Sequence, residues 1–104
     1  IDVQKRKFCV ANKTGGLSGS AIKPIALRMV YQVCHAVKIP VIGMGGIATI
    51  NDVLEFIMAG ATGIAIGTAN FNNPFVMPEI ISELSKYMEE NNIETLDEIR
   101  GIVG

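Results

Sequence analysis

The sequence has no tryptophan, one histidine and two cysteines among its 104 residues. Cys9 and Cys34 stand far apart, without the close spacing of a zinc site or the several pairs of a disulfide framework. We therefore expect a reducing, cytoplasmic setting. No metal cluster, Ser-His-Asp arrangement or pair of inward-facing carboxylates can be recognised, so we assign no catalytic and no metal-binding residue.

Long hydrophobic runs and strong charge are absent as well. No stretch reaches the roughly 18 apolar residues of a membrane span. The net charge is −1, and the basic cluster Lys5-Arg6-Lys7 is too short to follow a nucleic-acid backbone. We therefore expect neither membrane nor nucleic-acid binding. The start, Ile1 to Gln4, has neither methionine nor a signal sequence, and we expect an internal segment of a longer protein.

Glycine, by contrast, is frequent and falls at the ends of two apolar runs in the middle of the chain. Their β-branched and apolar residues predict strands at 40–44 and 62–66. The first strand leads into Gly45-Gly46 and the second into Gly67-Thr68. Near-continuous apolar strands that alternate with helices indicate an α/β fold with a parallel sheet buried on both faces.

These glycines also predict a binding site. The carboxyl ends of neighbouring parallel strands lie at one edge of the sheet, where glycine lets backbone N–H groups approach a ligand closely. A third glycine-rich segment, 12–20, precedes the first helix and could expose further N–H groups. Together with the positive ends of the helices after the strands, these loops favour a phosphate or a phosphorylated cofactor.

The rest of the chain shows further local signals. In chain order they predict a β-hairpin over 1–11, a helix Ile22–Val37 with Pro24 in its first turn, a helix from the Thr49/Asp52 capping box to Gly60, a long helix near Pro74 and Pro78, and a short helix Leu96–Val103 opened by Thr95 and Glu98.

Apolar residues at helical spacing predict the buried faces of the two long helices. On the first helix they are Ala26, Leu27, Val30, Val33, Cys34 and Val37, and on the last they are Met77, Ile80, Ile81, Leu84 and Met88. Cys34 is therefore interpreted as a small core residue. His35 falls on the opposite side of the first helix, with Arg28 and Gln32, and we interpret it as a surface histidine rather than a general acid.

Four motifs are specific enough in combination to suggest a family. They are Thr14-Gly-Gly-Leu-Ser-Gly19, Ile42-Gly-Met-Gly-Gly-Ile47, Ala59-Gly-Ala61, and Gly67-Thr-Ala-Asn-Phe71 with Asn73-Pro74. Together they resemble the catalytic subunit of class 1B (NAD-dependent) dihydroorotate dehydrogenase. The resemblance implies that 1–104 is a single segment, the C-terminal part of an FMN-binding (β/α)₈ TIM barrel with about the last two to three βα units. A complete barrel needs about 250 residues.

The resemblance implies FMN as cofactor and the oxidation of dihydroorotate to orotate in de novo pyrimidine (UMP) biosynthesis. By motif, Gly45, Gly46, Gly67 and Thr68 would hold the FMN phosphate through backbone N–H groups and the threonine hydroxyl. Gly19 would contact FMN from the preceding loop. The cysteine base, flavin-contacting lysines and substrate-binding asparagines of the family lie upstream of the motifs found here.

The resemblance also implies partners and shows one departure. A class 1B enzyme forms a homodimer of catalytic subunits and passes electrons to NAD⁺ through a subunit that carries FAD and an iron–sulfur cluster. The family usually has proline after Leu-Ser-Gly, where this chain has Ser20. That departure bears on the entry to the first helix and on the role of Gly19.

Other functions fit the same glycine-rich turns. A phosphosugar isomerase or aldolase barrel, or a dihydrouridine synthase acting on tRNA, could share them. A third hypothesis is a non-catalytic barrel fragment that associates with itself and binds phosphate or nothing. Without a catalytic base, we expect the isolated 104 residues to be inactive.

Overall fold

Two short parallel strands form the centre of the structure, a computed structural model that describes residues 1–104. Strand β1 (Ile42–Met44) pairs with β2 (Gly63–Ala65), with Gly43 opposite Ile64. Both strands lie within the predicted ranges 40–44 and 62–66. Helix α2 (Ile50–Ala59) connects them, so the segment is one βαβ unit, as the alternation of strands and helices predicts.

Three further helices flank this unit. They are α1 (Lys23–Ala36), α3 (Ala69–Asn72) and α4 (Val76–Glu90), and single 3₁₀ turns occupy Ser20–Ile22 and Leu96–Glu98. Helix α1 carries Pro24 in its first turn and differs from the predicted range by one residue at each end. No helix in the structure meets the length and hydropathy required to cross a bilayer.

The start and end of α2 follow the predicted signals. Thr49 Oγ1 accepts a hydrogen bond from Asp52 N at 3.2 Å, and Asp52 Oδ2 accepts one from Thr49 N at 3.0 Å. This reciprocal pair is a capping box. Gly60 ends the helix.

Close packing of α2 holds the core together. Phe56 is completely buried, and a Cβ added at Gly43 of β1 would lie 2.7 Å from Phe56 Cδ1. A Cβ added at Gly60 would lie 2.8 Å from Cβ of Cys34 on α1. Glycine at both positions therefore allows α2 to approach the sheet and α1. Cys34 is partly buried against the core, which confirms its predicted role.

The predicted stripes on α1 and α4 are only partly right. Val30 and Ile80 are buried, whereas Val33 is 45% exposed and Ile81 is 65% exposed. On α4 the buried line begins at Val76 instead of Met77, which is 44% exposed. The reason is that α1 and α4 each pack along one side only, α1 against α2 and β1 and α4 against α2 and α3.

The predicted hairpin over 1–11 is wrong in its second half. Asp2 and Lys7 form a single antiparallel bridge, and Asp2 Oδ1 accepts a hydrogen bond from Lys5 N at 2.9 Å within the turn. Residues 8–11 form no strand. Extended backbone is stabilised by a neighbouring strand, and these residues have none beside them.

The predicted terminal helix Leu96–Val103 is also wrong. The Thr95/Glu98 capping box is present, but only the 3₁₀ turn Leu96–Glu98 follows it. Gly101 N instead donates a hydrogen bond to Ile57 O of α2 at 3.0 Å. The backbone therefore turns toward α2 and does not continue the helical ladder.

The face of the sheet opposite α2 is uncovered. Ile42 and Met44 alternate with Gly43 along β1, and they are 61% and 66% exposed. Ile39, just before the strand, is 72% exposed. A parallel sheet is ordinarily buried on both faces, so this face has the character of a surface that packs against further protein.

We predict that Gly43→Ala destabilises the fold, because its Cβ would be forced against Phe56. Overpacking of this kind costs about 1–3 kcal/mol, and urea denaturation of the 104-residue chain measures it. Gly15→Ala is the matched control, since a Cβ there meets no atom within 4 Å. Equal stability of the two variants would contradict the close approach of α2 to β1.

Candidate functional site

The five residues predicted from the sequence to bind a cofactor line one cleft. It lies at the carboxyl ends of β1 and β2, beside the segment that leads into α1, and has a volume of about 360 Å³. Its lining consists of Leu17, Ser18, Gly19, Ser20, Ile22, Met44, Gly45, Gly46, Ile47, Ala48, Ala65, Gly67, Thr68, Ala69 and Asn72. Three loops that are distant in sequence therefore meet around one space.

The segment after β1, residues 45–49, is here called the Gly45–Thr49 loop. Gly45 has φ of +122° and Gly46 has φ of +72°, conformations that favour glycine. A Cβ at Gly46 would lie 2.8 Å from Lys23 N and 2.9 Å from Gly19 O. The loop is thus seated directly on the main chain at the start of α1.

The other side of the cleft is formed by the end of β2. Gly67 has open space around it, with no atom within 4 Å of an added Cβ. Thr68 is exposed, and its Cγ2 lies 3.9 Å from the Cβ position of Gly19. Gly19 therefore connects the loop before α1 with the turn after β2.

The cleft is lined by backbone donors that have no main-chain partner. The N–H groups of Gly45, Gly46, Gly67 and Thr68 donate no hydrogen bond to a backbone acceptor of the chain. Backbone N–H groups that converge on a concave surface bind anions. The arrangement is thus suited to the oxygen atoms of a phosphate.

The start of α2 differs from expectation. We expected its positive end to face the ligand, but Asp52 Oδ2 accepts hydrogen bonds from Ala48 N and Thr49 N, each at 3.0 Å. A carboxylate at this position compensates the helix dipole. The N–H groups of Ala48 and Thr49 are therefore engaged, whereas those of Gly45 and Gly46 have no acceptor in the chain.

Lys23 forms an ion-pair cluster with two carboxylates of α2. Its Nζ lies 2.7 Å from Asp52 Oδ1 and 3.2 Å from Glu55, and its side chain is 26% exposed. Sequence analysis missed this cluster because packing of α1 on α2 creates it. The one signal was a lysine in the first turn of a helix, where a cation is unfavourable to the dipole.

The cluster shifts the pKa of two of its members. Burial raises the pKa of Asp52, but hydrogen bonds from Lys23 and from the N–H groups of Ala48 and Thr49 outweigh it, and the net pKa is lowered. Hydrogen bonds to Asp52 and Glu55 raise the pKa of Lys23 despite partial desolvation. Both groups are therefore charged at neutral pH.

The other titratable candidates lie away from the cleft lining. His35 is exposed, as predicted, with Nδ1 2.7 Å from Tyr31 O and Nε2 3.0 Å from Gly104 O. These backbone oxygen atoms favour the charged imidazolium and raise the pKa of His35. Burial raises the pKa of the Cys34 thiol, and Cys9 is exposed.

We predict that Asp52→Asn destabilises the chain near pH 7 by about 1.5 to 3 kcal/mol, since hydrogen bonds to a charged group are lost. Because the pKa of folded Asp52 is lowered, its contribution is present above the ordinary value of about 3.9. It disappears as the pH falls through the folded pKa. Urea denaturation of both proteins across this pH range measures the difference.

The control for this prediction is Asp97→Asn, which removes an exposed carboxylate paired with Arg100. We expect it to cost less than about 1 kcal/mol, as surface ion pairs do. A stability difference between Asp52→Asn and the unaltered chain that stays constant down to low pH would contradict the prediction.

Comparisons with known proteins give a consistent result. The chain is 56% identical over 103 residues to "Dihydroorotate dehydrogenase B (NAD(+)), catalytic subunit" of Lachnoclostridium phytofermentans, a match that covers 99% of this chain and 34% of that protein. A protein of the same name from Alkaliphilus metalliredigens is 58% identical over 101 residues, covering 97% of this chain and 33% of that one. The chain thus spans about a third of the length of these relatives.

A solved structure and a family profile extend the comparison. The crystal structure of the dihydroorotate dehydrogenase of Eimeria tenella in complex with ferulenol is similar, with a TM-score of 0.77 and 26% sequence identity. It covers 90% of this chain and 26% of that one. The profile of the dihydroorotate dehydrogenase family matches residues 1–88. The chain belongs to the dihydroorotate dehydrogenase family, and the catalytic subunits of the NAD⁺-dependent B type are among its relatives.

Proposed function

We propose that this chain forms the FMN phosphate-binding part of a dihydroorotate dehydrogenase. The observation that carries the proposal is the meeting of Gly19, Gly45, Gly46, Gly67 and Thr68 in one cleft. They come from three loops, the N–H groups of Gly45, Gly46, Gly67 and Thr68 have no main-chain acceptor, and a cleft lined by glycine lets an anion reach the main chain. These residues therefore fit the phosphate of FMN.

The proposed contacts follow from this geometry. The N–H groups of Gly45 and Gly46 bind phosphate oxygen atoms from the β1 side. The N–H groups of Gly67 and Thr68, with the Thr68 hydroxyl, bind them from the β2 side. Gly19 contacts the cofactor from the loop before α1. Ser20, which departs from the usual proline, lies in the cleft lining and begins the 3₁₀ turn into α1.

In this proposal the chain holds and orients the cofactor. The side chains that bind and deprotonate dihydroorotate lie outside the 104 residues. FMN, when bound, would supply the hydride acceptor for the oxidation of dihydroorotate to orotate, and a base would take up the accompanying proton. Neither Cys9 nor Cys34 lines the cleft. We therefore propose that the catalytic base and the dihydroorotate-binding side chains come from the two thirds of the relatives that this chain does not match.

We further propose that the chain is the C-terminal third of a (β/α)₈ TIM barrel, with its last two to three βα units. Two observations support the part of this proposal that makes the chain a portion of a barrel, while its C-terminal position rests on the resemblance of the motifs. The chain has a third of the length of its relatives, and the sheet face with Ile42 and Met44 is uncovered. In a barrel this face would pack against the other strands in the interior.

The electron acceptor and the assembly are also proposals. The relatives are named catalytic subunits of an NAD⁺-dependent enzyme, a name that supports a separate electron-transfer subunit. We propose that this subunit carries FAD and an iron–sulfur cluster, that the catalytic subunit is a homodimer, and that the enzyme acts in cytoplasmic pyrimidine biosynthesis. Family membership disfavours the phosphosugar enzymes and dihydrouridine synthases considered from the sequence.

A chimera tests the proposed function directly. In it, the 104 residues replace the matching segment of the catalytic subunit of Lachnoclostridium phytofermentans. We expect the purified chimera to show a bound-flavin absorption spectrum and to oxidise dihydroorotate. The isolated chain should be inactive, since it contains no catalytic base. A folded chimera without flavin, or a catalytically active isolated chain, would contradict the proposal.

We predict that Gly67→Val in the chimera weakens FMN binding about tenfold or more, because loss of charge-assisted hydrogen bonds costs at least 1.4 kcal/mol. Gly67 is the residue of choice because its side chain would enter open space, whereas one at Gly46 would strike the main chain of Lys23. Titration of flavin-free protein with FMN, followed by fluorescence quenching, gives the Kd.

Gly15→Val is the matched control for this substitution. Gly15 also has no atom within 4 Å of an added Cβ, but it does not line the cleft. FMN affinity that is unchanged in Gly67→Val, or equally weakened in Gly15→Val, would be evidence against the proposed phosphate position.

A further inference from the structure

The ion-pair cluster of Lys23, Asp52 and Glu55 lies just outside the cleft. None of its three members lines the space itself. Nevertheless, the cluster is joined to the Gly45–Thr49 loop through two separate sets of contacts, one from side chains and one from the main chain. Its position raises the question of whether it acts on the ligand through that loop.

The first connection runs through the two oxygen atoms of Asp52. Oδ1 accepts a hydrogen bond from Lys23 Nζ at 2.7 Å. Oδ2 accepts hydrogen bonds from Ala48 N and Thr49 N, each at 3.0 Å. One carboxylate therefore bridges the start of α1 and the end of the loop, so Lys23 is linked to the loop through Asp52.

The second connection is the close approach of Gly46 to the main chain. Its Cβ position lies 2.8 Å from Lys23 N and 2.9 Å from Gly19 O. The main chain of Lys23 therefore limits where the N–H group of Gly46 can lie. The backbone of Lys23 thus packs against Gly46. Its side chain is linked to the end of the loop through Asp52.

Charge gives Lys23 a further effect on an anionic ligand. Asp52 and Glu55 both carry negative charge beside a cleft suited to phosphate, and Lys23 is the cation that pairs with both. Without Lys23, these two carboxylates would be unpaired and would repel an anionic ligand bound in the cleft. This repulsion would act on the charged phosphate and not on the uncharged flavin ring.

We propose that Lys23 is a positioning residue for the phosphate of FMN. It holds the Gly45–Thr49 loop in place through Asp52 and neutralises the two carboxylates behind that loop. This inference rests on the proposed function, because it assumes that the cleft binds the phosphate of the cofactor. Lys23 acts on the ligand indirectly, because it does not line the cleft.

The test compares FMN with riboflavin, which has the same ring but no phosphate. Flavin-free chimera is titrated with each, unaltered and with Lys23→Met. We expect Lys23→Met to weaken FMN binding about tenfold or more, or about 1.4 kcal/mol, because Asp52 loses its link to α1 and two unpaired carboxylates remain near the phosphate. Riboflavin affinity should stay within about twofold, as for a substitution outside the site. The KM for dihydroorotate at saturating FMN should not change.

Lys86→Met is the matched control. Lys86 forms an exposed i,i+4 ion pair with Glu90 at 3.9 Å, remote from the cleft lining. Lys86→Met makes the same chemical change as Lys23→Met, the loss of one positive charge from a lysine on a helix. We expect the affinities for both flavins to equal those of the unaltered chimera.

Each other outcome identifies which proposal fails. An unaltered chimera that binds FMN no more tightly than riboflavin overturns the proposed phosphate site and this inference with it. A preference for FMN that Lys23→Met leaves unchanged overturns only the role of Lys23. Equal weakening of both flavins, or a Lys23→Met protein that does not fold, indicates a general structural role and likewise overturns it. Lys23→Gln, which keeps an NH₂ donor group without the charge, should weaken FMN binding less than Lys23→Met does.

Discussion

The close approach between the turn after β1 and the start of α1 is the constraint on which the site depends. A Cβ at Gly45 would lie 2.7 Å from Ala26 Cβ, and one at Gly46 would meet the main chain of Lys23 and Gly19. The turn also requires positive φ at both glycines. With side chains there, the loop and α1 would separate, and the three loops would no longer meet around one cleft.

A second set of close contacts fixes the position of α2, which connects the two strands. Phe56 of α2 fills the space over Gly43, and Gly60 lets Cys34 of α1 pack against the end of α2. These contacts fix α2 relative to both the sheet and α1. Since the loop after β1 leads into α2 and the turn after β2 follows it, a shift of α2 would move both sides of the cleft relative to each other.

The charges of the site are arranged in two layers. The cleft itself is lined by uncharged residues only, and its donors are backbone N–H groups, hydroxyl groups and the amide of Asn72. The charged groups Lys23, Asp52 and Glu55 lie behind the loop and are paired with each other. No carboxylate therefore lines the cleft, and Asp52 serves both as the cap of α2 and as a bridge to α1.

Local sequence signals by themselves determined α1, β1, α2, β2 and α4 in their order, the capping box at Thr49, and the glycines that line the cleft. Such signals succeed because they involve neighbours within about four residues. Tertiary structure alone decided three features. They are the exposure of Ile81, the single bridge in place of a full hairpin, and the pairing of Lys23 with Asp52. Each depends on which distant segment packs against a residue, and neither periodicity nor capping rules contain that information.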